Sequence, residues 1–200
     1  MQIIFFTDAT PEEYHRLDKK FPFPQPSFCP SCRVPVAPKK HGFYWRYLLT
    51  INFKQRIRIR RYYCPYCKKT LSYLPSFCLP HFQYALEIIY FALQLFFVHG
   101  YSARLCISLL RQTMNDTCSC WDRAHLQFYV RRFLGNHNRI KIALRQLLPS
   151  VILPAAEMDK KKGAKWLLDI VATGFPHIQT FSTRYYDQCR QSFLAPCKLF

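Results

Sequence analysis

Two pairs of cysteines set the chemistry this chain can do: Cys29-Pro-Ser-Cys32 and Cys64-Pro-Tyr-Cys67, separated by 31 residues. Four thiolates match the ligand number and softness that tetrahedral zinc prefers, with each sulfur about 2.3 Å from the ion. A Cys-x-x-Cys turn is tight enough to aim both of its sulfurs at one point. The separator is longer than is usual for paired knuckles, but Phe43 to Tyr63 reads as the two strands of a hairpin, which returns the second pair to the first. Cys29, Cys32, Cys64 and Cys67 are therefore expected to form one structural zinc site, a zinc ribbon. Two other chemistries use the same residues. Cys64-Pro-Tyr-Cys67 is also a glutaredoxin-type motif, where a low-pKa thiolate exchanges disulfides; that requires a βαβ setting and leaves the upstream pair without a role. A disulfide framework is the third reading.

The second group of residues is basic. Gln55 to Arg61 alternates arginine and isoleucine, which places Arg56, Arg58 and Arg60 on one face of a strand and Ile57 and Ile59 on the other. Guanidinium forks in a row suit phosphate oxygens. Lys39 and Lys40 lead into the partner strand, whose Trp45, Tyr47, Leu49 and Ile51 are expected to pack, and Arg61 extends the charge toward Cys64. Further on, Arg123, Gln127 and Arg131 recur at intervals of four on a predicted helix, with Arg132 beside them. Such a stripe can reach base edges and phosphates in a major groove, and it can equally be a solvated helix face.

Composition agrees with a polyanion partner. The chain carries 29 Lys and Arg against 11 Asp and Glu, a formal charge of +18 over 200 residues. Such an excess repels itself unless a polyanion relieves it. Half of the residues are hydrophobic and 17% are aromatic, with only five glycines, so a packed core is affordable and disorder is disfavoured. Ten cysteines would fit a secreted disulfide protein, but Asp8, Glu12 and Glu13 follow the first apolar residues at once, unlike a signal peptide. The apolar run Ile88 to Val98 is too short to span a bilayer. Reduced thiols in a bacterial cytoplasm are the expectation, nucleoid-associated if the protein holds DNA.

The elements that must position these groups follow from local signals. Thr10-Pro11-Glu12-Glu13 predicts a helix running to Lys20, with Thr as N-cap, Pro at the first position and Glu closing a capping box. Phe82, Leu86, Ile89, Leu93 and Phe96 predict a buried helix to Val98. Gly100 and Ser102 mark a stop and a new cap before a helix over Ala103 to Arg111. Further helices are expected over 120–134, 139–148 and near 164–172, followed by a loose, proline-containing tail.

The ribbon and the helices after it resemble the N-terminal DNA-binding region of bacterial insertion-sequence transposases, and a group of uncharacterised transposase-like bacterial proteins with the same layout. The similarity rests on Cys29-Pro-Ser-Cys32, on Arg58-Ile-Arg-Arg-Tyr-Tyr-Cys64, and on Cys64-Pro-Tyr-Cys67-Lys-Lys-Thr70. Gly100-Tyr-Ser-Ala-Arg104 through Val130-Arg-Arg-Phe133 is similar to the helix-turn-helix that comes next. The resemblance covers residues 25–150 and implies DNA binding within a mobile element. Such transposases continue into an RNase H-like domain whose three carboxylates bind two divalent metals. After Pro149 the carboxylates are Glu157, Asp159, Asp169 and Asp187, in a stretch too short for that domain. The expectation is a DNA reader without the cutting domain.

Smaller constellations are read as core or as spare thiols: Cys78 and Cys106 as core, Cys118 and Cys120 near His125, and Cys189 and Cys197 with His177, as weak metal candidates. The sequence thus predicts an α+β protein. A lead over 1–24 precedes a small zinc β-ribbon over 25–80, which packs on a mostly helical, helix-turn-helix-like domain over 81–149, and a C-terminal helix and tail follow over 150–200. The expected ligand is double-stranded DNA, with one structural Zn2+. RNA, an acidic protein, a separate catalytic subunit or a second copy of the chain are the other partners this reading admits, and a catalytic fragment is its rival.

Overall fold

The computed structural model describes residues 1–114, 121–153 and 158–196. The chain divides into two compact units, Met1–Ala85 and Leu86–Phe200. The fold is α+β, with a four-stranded sheet in the first unit and, among the described residues, seven α-helices.

In the first unit, β1 (Gln2–Phe5), β2 (Lys39–Leu49), β3 (Lys54–Tyr63) and β4 (Thr70–Pro75) form a sheet in the order β1-β4-β3-β2. β1 lies parallel to β4, and the remaining pairs are antiparallel. The N-terminal lead is therefore part of the ribbon unit rather than a separate segment. The hairpin of β2 and β3 is longer than the sequence implied, and a bulge between Lys40 and Phe43 lets Gly42 take a positive φ of 75°. Alternation on β3 works as expected: Ile57 and Ile59 are fully buried and pack with Leu48, Leu74, Phe77, Tyr14 and Phe21.

Helix α1 (Pro11–Leu17) starts as its sequence dictates. The Glu13 N–H donates to Thr10 Oγ1 at 3.2 Å and the Thr10 N–H donates to Glu13 Oε2 at 3.0 Å. It ends three residues earlier than expected, in a 3-10 turn over Asp18–Lys20, with Asp18 at a positive φ of 46°. Its position solves a backbone problem. β4 pairs with β3 only from Arg60 to Tyr63, so the carbonyls of Arg56 and Arg58 lack strand partners on that side. The Tyr14 hydroxyl donates to the Arg58 carbonyl at 2.8 Å, and His15 Nδ1 lies 3.1 Å from the Arg56 carbonyl. The helix thus takes over the role of a strand along the edge of β3.

The second unit is helical: α2 (Leu86–Leu93), α3 (Ala103–Thr113), α4 (Arg123–Gly135), α5 (His137–Leu147), α6 (Lys160–Gly174) and α7 (Ile178–Cys189). The expected continuous helix from 82 to 98 is shorter. It begins at Leu86 and gives way to a π-helical turn over Gln94–Val98, where the His99 N–H donates to the Gln94 carbonyl at 3.1 Å. Ser102 caps α3, and Asp122 caps α4 by accepting from the His125 N–H at 2.9 Å. Arg111 at the end of α3 donates from Nε and Nη2 to the Trp121 carbonyl at 3.0 and 2.7 Å, tying the two helices together. The loose tail is overturned. α7 follows α6, and beyond it Phe193 and Leu194 are buried, Phe193 against Phe133, Phe181 and Tyr185. Apolar side chains at Phe181, Tyr185, Phe193 and Leu194 join the buried side chains of the helical unit, which prolines 176 and 196 obscured in the sequence. Among the described residues, no helix is long and apolar enough to cross a membrane.

Candidate metal centre and basic hairpin face

The four cysteines converge. Their sulfurs all lie within 4.8 Å of one another, and none is in a disulfide. Cys29 and Cys67 Sγ are 3.7 Å apart, Cys32 and Cys64 Sγ 3.8 Å. Four sulfurs at about 2.3 Å from a central ion stand about 3.8 Å from each other, the edge of a tetrahedron. The site fits a metal ion held by four thiolates.

The two knuckles are built alike. In the first, the Arg33 N–H donates to the Cys29 carbonyl at 2.8 Å; in the second, the Lys68 N–H donates to the Cys64 carbonyl at 3.0 Å. Arg33 and Lys68, each just after the second cysteine of its pair, both have φ of 59°, a left-handed conformation unusual for residues other than glycine. The repetition of a costly geometry marks both turns as shaped for the sulfurs. Backbone donors reinforce it. The N–H of Cys67 stabilises the Cys64 thiolate and, against burial, lowers its pKa to about 7. At Cys32 the N–H of Val34 pulls down, but burial and hydrogen bonds with Cys29, Cys64 and Cys67 push the thiol up to about 11. One negative charge among four crowded sulfurs resists the next, and a dication at their centre removes that conflict.

The hairpin face holds a second constellation. Phe43, Trp45 and Tyr47 of β2 stand opposite Arg60, Arg58 and Arg56 of β3. Each guanidinium lies over the ring facing it: Arg56 at 4.6 Å from the Tyr47 centroid, Arg58 at 4.2 Å from Trp45, Arg60 at 4.6 Å from Phe43. Arg60 also approaches Tyr62, at 5.5 Å. This corrects the expected packing of the hairpin: Trp45 and Tyr47 do not line the core but remain 50% and 45% exposed beneath the arginines. The core side of β2 is instead Tyr44, Arg46 and Leu48, with the Arg46 guanidinium donating to the carbonyls of Leu79 and Phe82. Asp18 holds Arg58 Nε at 2.7 Å, so the middle arginine of the row is the one already paired.

The remaining predicted contacts sort as follows. Lys39 and Lys40 are exposed at the start of β2. Arg61 is half-buried and, by alternation, lies on the face of Ile57 and Ile59 rather than with the arginine row. Arg123, Gln127 and Arg131 share an exposed face of α4 as expected, and Ala124 is exposed beside them. Arg132 is half-buried with its guanidinium 4.9 Å from the Phe128 ring, off that stripe. Cys78 and Cys106 are core as read, and burial pushes the Cys78 thiol up to about 11. Cys118, Cys120, Glu157 and Cys197 lie outside the described residues. Of the carboxylates weighed for catalysis, Asp159 caps α6 through the N–H groups of Lys161 and Lys162, and Asp187 lies 3.7 Å from Arg190. Asp159 and Asp169 stand ten residues apart along one helix, about 15 Å, too far to share two adjacent metals.

Asp18 and Phe43 were not singled out from the sequence, and Trp45 and Tyr47 were expected to pack rather than to carry the arginines. Counting strand positions outward from the turn at 50–53 pairs each ring with its arginine, so the aromatic partners had a signal; the ion pair of Asp18 had none.

Residues 29–107 match a family described as a domain of unknown function (DUF6431). The match begins at the first cysteine of the cluster. No curated protein and no solved structure matches the chain.

Proposed function

We propose that this is a zinc-stabilised protein that binds double-stranded DNA, related to insertion-sequence transposases and acting as their DNA-reading part. The observation that carries the reading is the arginine row stacked on Phe43, Trp45 and Tyr47. A guanidinium lying flat on a ring keeps its N–H edge free and its rotamer fixed, so less entropy is lost when it grips a phosphate. The rings are covered by arginine on that side, which favours phosphate contact over base stacking. The four-cysteine site takes Zn2+ in this reading, because thiolate ligands in tetrahedral array suit zinc. With all positions filled by protein, the ion holds the two knuckles and has no open position for substrate. Arg56 and Arg60 supply the principal phosphate contacts, Lys39 and Lys40 flank them, and Arg123, Gln127 and Arg131 on α4 supply whatever base readout there is.

The test is a titration of labelled duplex DNA, and of RNA of the same sequence, into metal-quantified protein at two salt concentrations. About one zinc per chain with duplex binding that weakens steeply with salt supports the reading. Equal, weak binding to both nucleic acids would sink it and leave an acidic protein partner as the better account.

A further inference from the structure

A second basic site lies within the helical unit and uses none of the basic residues assigned to DNA above. Lys161, Lys162 and Lys165 line a hollow of about 330 Å3 whose other wall is Phe96, Phe97 and Tyr101. Two local features build it. The π-helical turn over Gln94–Val98 presents Phe96 and Phe97 edge to face, with centroids 5.1 Å apart, and Gly100 at a φ of 69° then turns the chain so that the Tyr101 ring stands at the rim, 37% exposed. A Cβ at Gly100 would meet nothing within 4 Å, so glycine serves the turn and not the space. The first two turns of α6 place Lys165 one turn beyond Lys161 and Lys162, on the same side. Asp159 already accepts from the free N–H groups of Lys161 and Lys162, so the donors left for a ligand are the ammonium groups. All three lysines are exposed, and among the described residues none forms an ion pair.

A solvated basic helix face needs no aromatic wall, and an apolar pocket needs no lysines. Together they match a ligand with a flat ring and an anionic group a few ångströms away. We infer that this hollow binds a nucleotide unit, its base against Tyr101 and Phe96 and its phosphate on Lys161, Lys162 and Lys165. The inference does not rest on the hairpin face. The nucleotide can be free or part of an unpaired strand, since the chemistry presented is the same.

The full chain is titrated with 5′-labelled oligo(dT) of eight nucleotides, with dTMP and with inorganic pyrophosphate, which has no ring. Tyr101→Ala is expected to weaken oligo(dT) about tenfold, as loss of one stacked base does, and to leave pyrophosphate unchanged. Tyr101→Phe is expected to keep the wild-type affinity. Lys162→Gln combined with Lys165→Gln should weaken all three ligands severalfold. The Tyr101→Ala loss should persist in an Arg56→Gln, Arg60→Gln background, which separates this site from the hairpin. dTMP competing as well as oligo(dT) identifies a free nucleotide as the source; oligo(dT) binding far more tightly than dTMP identifies a strand. Tyr101→Ala without effect, or with equal loss for pyrophosphate, in a protein with unchanged circular dichroism, overturns the inference.

Discussion

The Arg58 guanidinium sits 4.2 Å from the centre of the Trp45 ring and, at the same time, 2.7 Å through Nε from the Asp18 carboxylate. One side chain is thus held by a ring from β2 and a charge from the turn after α1. The pair with Asp18 is partly exposed, so it contributes at most about 1 kcal/mol to stability. Its larger effect is on charge: it neutralises the centre of the basic row. Asp18→Asn should leave the melting temperature within a few degrees of wild type and tighten duplex binding severalfold at low salt. A weaker-binding Asp18→Asn protein would mean that the pair orients Arg58 for its ligand.

Removing charge from the free arginines gives a measurable slope. Arg56→Gln with Arg60→Gln deletes two phosphate contacts, so the slope of log K against log salt should fall by about 1.8. Tyr47→Ala keeps every charge but removes the platform under Arg56; a drop of about three- to tenfold in affinity with the slope preserved is expected. Fluorescence anisotropy at four salt concentrations reads both.

Loss of one ligand tests the metal. Cys64→Ser should reduce bound metal from about one ion per chain to near zero by elemental analysis and unfold the first unit, since in such sites the binding free energy is folding free energy. Unchanged metal content and unchanged melting would refute the assignment.

Acidity should act on the same site. Cys64 gives up its proton near 7 and Cys32 only near 11 without metal. The sign follows from competition: metal must displace the proton from Cys32 at every neutral pH, so affinity rises with pH and falls as protons return. Between pH 7 and 9 the apparent metal affinity should increase about tenfold per pH unit or more. Competition with a chromophoric chelator across that range measures it.

The segment after α7 is open to a packing test. Phe193 is buried against Phe133, Phe181 and Tyr185, and Phe193→Ala should cost about 3–5 kcal/mol, seen as a lower urea midpoint. A shift below about 1 kcal/mol would mean that these residues are not part of the core.

What the sequence made legible was whatever depends on short spacing. The cysteine pairs, the arginine alternation on β3, the capping box of α1 and the N-cap of α3 each lie within a few residues, and each formed as read. The errors came from partners remote in sequence. Trp45 and Tyr47 were expected in the core because they are large and apolar, yet cation–π pairing keeps them on the charged face. α1 was read as an isolated lead, yet it lies along β3 because carbonyls 41 and 44 residues away needed donors. The break after α2 and the burial of Phe193 and Leu194 likewise depend on packing that no local pattern encodes.

The two cysteine pairs sit just before β2 and just after β3, at the open end of the hairpin. Side chains alternate along a strand, so sliding β3 by a single residue against β2 would turn the arginines inward and the isoleucines outward. The tight turn over 50–53 fixes one end of that alignment, and an ion drawing the four sulfurs together would fix the other. An ion bound there would act as a ratchet pawl, keeping the arginines and the isoleucines on their separate faces of the sheet. Chelation would then release that alignment together with the fold, and with it the separation of the charged face from the buried one.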